Sequence, residues 1–177
     1  QARNDWAGSK TTGPTPKAEF TIVGKDVLKL ADGDRALVPA PSNGFLSADI
    51  TSSASSAALS PSGIGDAEYD ASGELNIGNS EVVSFTRAGN ALTLTGRGLR
   101  GTTAKAHSAQ DLCQAVVNYS AAAVPAIISD IYDRAGISSA YIPLDEWELE
   151  DSTFFSQLLT ATIANPTSVN TLVSEII

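Results

Sequence analysis

Residues 72–95 alternate polar and apolar side chains in three short runs. These are Gly73-Glu74-Leu75-Asn76-Ile77-Gly78, Glu81-Val82-Val83-Ser84-Phe85-Thr86 and Ala91-Leu92-Thr93-Leu94-Thr95, and Gly/Asn turns separate them. A period of two sends successive side chains to opposite faces of a strand, so the runs predict an antiparallel meander. Leu112-Cys113-Gln114-Ala115-Val116-Val117 predicts a further strand after the loop 96–111. The Ser/Ala/Gly/Pro stretch 51–65 reads as a weak strand and a loop. Upstream, Glu19-Phe20-Thr21-Ile22-Val23 and Asp26-Val27-Leu28-Lys29-Leu30 suit two short strands or one bent at Gly24, and residues 1–17 read as an irregular lead-in.

The periodicity changes after Tyr119. Val124, Ile127, Ile128, Ile131, Tyr132 and Ala135 recur at helical spacing, with Pro125 in the first turn and Gly136 as a stop. A second helix is predicted from a cap at Asp151 or Ser152, with Phe154, Phe155, Leu158, Leu159, Thr162 and Ile163 on one side, ending before Asn165-Pro166. A third starts from a cap at Thr167 or Ser168 and carries Val169, Leu172, Val173, Ile176 and Ile177. The expected fold class is therefore α+β, a small antiparallel β-barrel or sandwich module followed by a helical segment. The division is 1–17 lead-in, 18–45 strand-containing segment, 46–118 barrel module and 119–177 helical segment.

The 177 residues hold 42% apolar and 18% charged side chains, which suits a chain with a buried core. No apolar run approaches the roughly 18 residues of a membrane span. Cys113 and His107 each stand alone in type, which excludes a disulfide within the chain and the Cys-pair and His-rich zinc sites. The net charge of -9 is uneven: residues 121–177 carry one basic and eight acidic groups. Nucleic-acid binding relies on phosphate neutralisation and anionic membranes attract basic patches, so neither partner is expected. The sequence has no methionine, and the apolar stripe of 168–177 runs to the last residues without a visible partner. Both features predict an internal piece of a longer polypeptide.

Gly96-Arg97-Gly98-Leu99-Arg100-Gly101 matches G-x-G-x-x-G. A dinucleotide loop also needs a helix opening at once and an acidic residue about 20 positions on, and this chain has neither, so a glycine-rich turn at a barrel rim is expected instead. Cys113 falls in a predicted strand as a buried inert thiol, and His107 in a Ser/Ala loop is expected to hydrogen-bond loop backbone. Asp145, Glu146, Glu148, Glu150 and Asp151 offer carboxylates of the kind that glycosidases pair. Tyr141 and Trp147 are the nearby aromatic residues, and a solvated acidic face is the preferred reading. The same reading places Ile127, Ile131, Phe154, Leu158 and Leu172 inward.

The series Gly73–Gly78, Glu81–Thr86, Leu92–Thr102, Ala106-His107-Ser108-Ala109 and Asp111-Leu112 resembles a module of long-tailed bacteriophage tail proteins. In that module "G-x-L-x-I-G-x-E-x-x-x-(Y/F)-T" leads to an apolar strand, "R-G-x-x-G-T", "A-x-H" and a Gly-Asp before the last strand. Gln110 departs from the family's glycine. Residues 135–147 and 165–169 are similar to the segment C-terminal to that module in tail-tip hub proteins, so the resemblance spans about residues 18–177. It implies a structural virion component, a trimeric cap on the tail tube that contacts the tape measure and distal tail proteins and the tail fibre or receptor-binding proteins. It implies a location at the virion tail tip, after synthesis in the host cytoplasm. The motif residues it singles out are Gly96, Arg97, Gly98, Gly101, Thr102, His107 and Asp111, as structural elements, with no catalytic, cofactor or metal residue. Two alternatives remain open: a tail-associated glycan or peptidoglycan hydrolase using the 145–151 carboxylates, and a carbohydrate-binding β-module.

Overall fold

The computed structural model describes residues 36–176. The lead-in 1–17 and the strands expected at Glu19–Val23 and Asp26–Leu30 lie outside the described residues. The chain is α+β, a curled antiparallel sheet followed by a helical segment. The strands are β1 (Leu37–Val38), β2 (Phe45–Leu46), β3 (Ser56–Ser60), β4 (Ser72–Ile77), β5 (Glu81–Ala88), β6 (Ala91–Leu99), β7 (Cys113–Ala123), β8 (Leu158–Ile163) and β9 (Thr167–Ser168). The helices among the described residues are α1 (Ile64–Glu68), α2 (Val124–Arg134), α3 (Leu144–Phe154) and α4 (Val169–Ile176), and a 3-10 turn lies at Ser139–Tyr141.

Seven strands form the curled sheet in the order β2-β3-β6-β5-β4-β7-β8, while β1 and β9 pair separately. The meander arises from its turns. Gly78 and Asn79 take left-handed φ values of 56° and 50° between β4 and β5, and Gly89 takes 57° in the two-residue link from β5 to β6. The curl comes back on itself at β2. There Leu46 donates its N–H to the Asp111 carbonyl, Gln110 donates to the Leu46 carbonyl and Cys113 donates to the Gly44 carbonyl.

Two apolar clusters fill the fold. The first packs Leu46, Leu59, Tyr69, Leu75, Ile77, Val83, Phe85, Leu92, Leu94 and Cys113 inside the curled sheet. The second joins Ala36 and Val38 to Val117, Ile127, Ile131, Ile137, Val169 and Leu172. Strand β7 belongs to both, through Cys113 at one end and Val117 further along. Cys113 is fully buried, and burial, with Asp111 nearby, pushes its thiol up to about 12, in line with an inert core thiol.

Several sequence-based expectations need correction. The strand at 112–117 runs on to Ala123, so the helical segment opens at Val124 rather than 119. The weak strand in 51–65 is confined to Ser56–Ser60, and helix α1 begins within the stretch read as loop. The helix expected over 151–163 does not form. Helix α3 starts earlier, at Leu144, and ends at Phe154; Ser156 takes a left-handed φ of 49°, and Leu158–Ile163 pairs with β7. The edge of β7 supplies hydrogen bonds to a β-branched run that also happens to fit a helical spacing. Phe154 and Leu158 are consequently exposed rather than inward, whereas Ile127, Ile131 and Leu172 are buried. The stripe on α4 does have a partner: Val169 and Leu172 sit in the second cluster, with Val173 and Ile176 packed against it.

Because β7 crosses both clusters, damage to either should lower one cooperative transition. Ile77→Ala and Ile131→Ala each remove a fully buried side chain and should cost about 3 kcal/mol in urea unfolding. Two separate transitions, with each substitution moving only one, would contradict this coupling.

Candidate functional site

The motif residues converge on a carboxylate that the sequence reading did not single out as a site, Glu81. It opens β5 and is fully buried. Arg97 donates from Nε to Glu81 Oε1 at 2.7 Å and from Nη2 to Oε2 at 2.9 Å, a two-pronged pair. The N–H of Gly98 donates to Oε1 at 3.0 Å and that of Lys105 to Oε2 at 3.1 Å. The Nε2 of His107 lies 2.9 Å from Oε2, and its Nδ1 lies 3.2 Å from Asp111 Oδ2. Asp111 also accepts from the Ser108 N–H at 3.2 Å.

Local backbone geometry aims these groups. Between Val82↔Leu99 and Phe85↔Leu94 the register of β5 against β6 shifts, so β6 carries extra residues beside Ser84. Such a bulge bends its strand and redirects a side chain, and here it contains Arg97 and Gly98. Gly98 has φ +60°, and a Cβ there would lie 2.7 Å from the Ala104 nitrogen. Gly101, at φ +79°, has open space around it. Thr102 accepts from the Val82 N–H and donates to the Leu99 carbonyl, closing the turn after β6.

Arg97 extends the network outward. Its Nη1 donates to the carbonyls of Thr51 and Ala54, and Nη2 also donates to the Lys105 carbonyl. The His107 backbone exchanges two hydrogen bonds with Ile50. One buried carboxylate thus ties together β5, the β6 bulge, the 51–54 turn and the strap 102–111.

The glycine run is therefore not wholly a rim turn: Gly96 to Leu99 belong to β6, and the reversal comes at Arg100-Gly101. It opens no helix, as a phosphate loop would. His107 does more than the expected loop contact, because its buried ring spans two carboxylates. Gly96 lies against Ser84, where a Cβ would meet Oγ at 2.7 Å. All seven motif residues lie in or beside this network. Arg100 turns away to make a two-pronged pair with Glu74.

Burial alone would raise the Glu81 carboxyl, but Arg97, the Lys105 amide, His107 and the Gly98 amide together hold it at about 2. Every donor aimed at it comes from this chain. Among the described residues no buried side-chain nitrogen or oxygen lacks a partner, and no group of three or more His, Cys, Asp or Glu is placed to hold a metal. The arrangement braces loops against one strand. A polar groove beside Thr102, lined by Asn76, Asn79, Ser80, Arg100, Thr160 and Thr162 among others, has no aromatic side chain in its lining.

No protein-family model, curated protein or solved structure matches the chain.

The brace yields a pH-dependent prediction. The ordinary carboxylate value is 4.5, so as pH falls the unfolded chain takes up the Glu81 proton before the folded one does. Stability from this group is fully present above about pH 4.5 and is lost as pH falls toward about 2. Glu81→Gln should cost about 3 kcal/mol at pH 7, because Arg97 is left without its counter-charge, and should flatten the acid limb of the stability curve. Equal acid dependence of the two proteins would contradict it. The glycines should also differ. Gly98→Ala meets both strain and a clash, whereas Gly101→Ala meets only the left-handed penalty of about 1 kcal/mol, so Gly98→Ala should unfold at clearly lower urea.

Proposed function

We propose that this chain is a structural component of the tail-tip hub of a long-tailed phage, where copies around the tail axis cap the tube and join it to the host-recognition apparatus. The observation that carries the reading is the convergence of Arg97, Gly98, His107 and, through His107, Asp111 on the buried Glu81 carboxylate, with Thr102 closing the turn beside it. Arg97, Gly98, Thr102, His107 and Asp111 are among the motif residues that the resemblance to the phage tail module singles out. A hub works by holding shape under load, and a charge network that pins three loops to one strand serves that need. The order of barrel-like sheet and then helices also suits the reading. On this proposal the chain forms a trimer and contacts the tape measure, the distal tail protein and tail fibre or receptor-binding proteins, in the virion.

The hydrolase alternative has weaker support. Asp145, Glu146, Glu148 and Glu150 are exposed and Asp151 is half-buried, all along one helix, whereas a glycosidase sets two carboxylates across a sugar-sized groove.

Antibody against the chain, applied to intact particles of a phage that encodes it, tests the reading in negative-stain electron microscopy. Label should collect at the distal end of the tail tube. Label on the capsid, or none on particles shown to lack the chain by mass spectrometry, would overturn it. So would glycan cleavage lost on Glu150→Gln.

A further inference from the structure

The large apolar side chains most exposed among the described residues all fall between 141 and 158. Tyr141, Leu149, Phe154, Phe155 and Leu158 are 60% to 75% exposed. Of these, Phe155 enters the lining of a hollow of about 320 Å³ that opens between α2, α3 and α4, beside Pro125, Ile128, Tyr132, Trp147 and Val173, with Glu150 and Asp151 also in its lining. Helix α3 carries Asp145, Glu146, Glu148, Glu150 and Asp151 with no basic residue. None of these five carboxylates is ion-paired with a described basic side chain. No Lys or Arg occurs after Arg134.

We propose that this hollow is the docking site for a basic amphipathic segment of another protein. Its apolar side chains enter beside Trp147 and Phe155, and its Lys or Arg residues meet Glu150, Asp151 and the neighbouring carboxylates of α3.

Charge complementarity selects that occupant. Exposed apolar area of this kind gains free energy when covered, but whatever covers it must also come close to an acidic rim that no described basic side chain neutralises. A second copy of this region would bring the same carboxylates against themselves. An anionic membrane surface is repelled for the same reason. A small apolar ligand could fill the hollow, yet it would leave Glu150 and Asp151 in the lining without a counter-charge. A segment with apolar residues at i, i+3, i+4 and i+7 and Lys or Arg between them covers both the hollow and its rim. The proposal stands independently of the virion reading.

Trp147 in the lining supplies the signal. The full chain is titrated with synthetic peptides of about 15 residues that contain no Trp or Tyr. Three share one helical leucine spacing and fill the remaining positions with Lys, Gln or Glu; a fourth has the lysines with Gln in place of every Leu. The Leu/Lys peptide should bind about tenfold or more tightly than Leu/Gln, and Leu/Glu more weakly than either. The Leu/Lys advantage should vanish in 0.5 M salt and in the Glu150→Gln, Asp151→Asn double variant. Phe155→Ser, at a solvent-exposed position, should weaken all Leu-containing peptides about tenfold while leaving the melting temperature unchanged. Equal affinity for Leu/Lys and Leu/Glu, or equal affinity for the peptide without leucine, overturns the proposal. A concentration-dependent dimer in sedimentation that Phe155→Ser abolishes also overturns it, by giving the face to a second copy.

Discussion

A carboxylate with no exposure to water must be neutralised by its neighbours, and the geometry around Glu81 is organised by that requirement. Removing such a group from water costs several kcal/mol unless its lone pairs are filled and its charge is matched. Five donors fill them, and each comes from a segment that would otherwise have little reason to stay in place: the β6 bulge, the Lys105 amide and the His107 ring. The same Arg97 that matches the charge holds the carbonyls of Thr51 and Ala54. The loops therefore take their positions from one buried charge rather than from apolar burial of their own.

This explains why a small curled sheet can carry a long strap. Residues 100–112 contain little regular structure and few apolar side chains. Their order comes from the His107 bonds to Ile50, the Asp111 and Gln110 bonds to Leu46, and the ionic centre beneath them. The strap brings β2 back to the start of β7, and β7 then leaves the first apolar cluster and enters the second. Strand β7 thereby links the sheet to α2 and α4, which together with α3 frame the acidic apolar hollow.

The meander is legible in the sequence because its period of two and its Gly/Asn turns are local signals. The helices at Val124–Arg134 and Val169–Ile176 are legible from the spacing of Ile127, Ile131 and Leu172. Strand β8 is not, since Leu158, Leu159, Thr162 and Ile163 satisfy a helical stripe, and only the open edge of β7 decides for a strand. Glu81 escapes a sequence reading for a similar reason. A glutamate at the start of a strand reads as solvent-facing, and its partners lie 16 to 26 residues away in sequence. One signal is present: the period of two puts Glu81 on the same face as Val83 and Phe85, both buried. A charge on a core face calls for a buried counter-charge, and Arg97 between two glycines is the candidate.

The central claim is that Glu81 and Arg97 act as one energetic unit that the fold depends on. A double-mutant cycle with Glu81→Gln, Arg97→Gln and the combined variant, monitored by urea unfolding at pH 7, measures that unit directly. The account predicts that the double variant is less destabilised than the sum of the two singles by about 2 kcal/mol or more, since each single substitution strands the other charge. Strict additivity would contradict it and would reduce the network to a set of independent contacts.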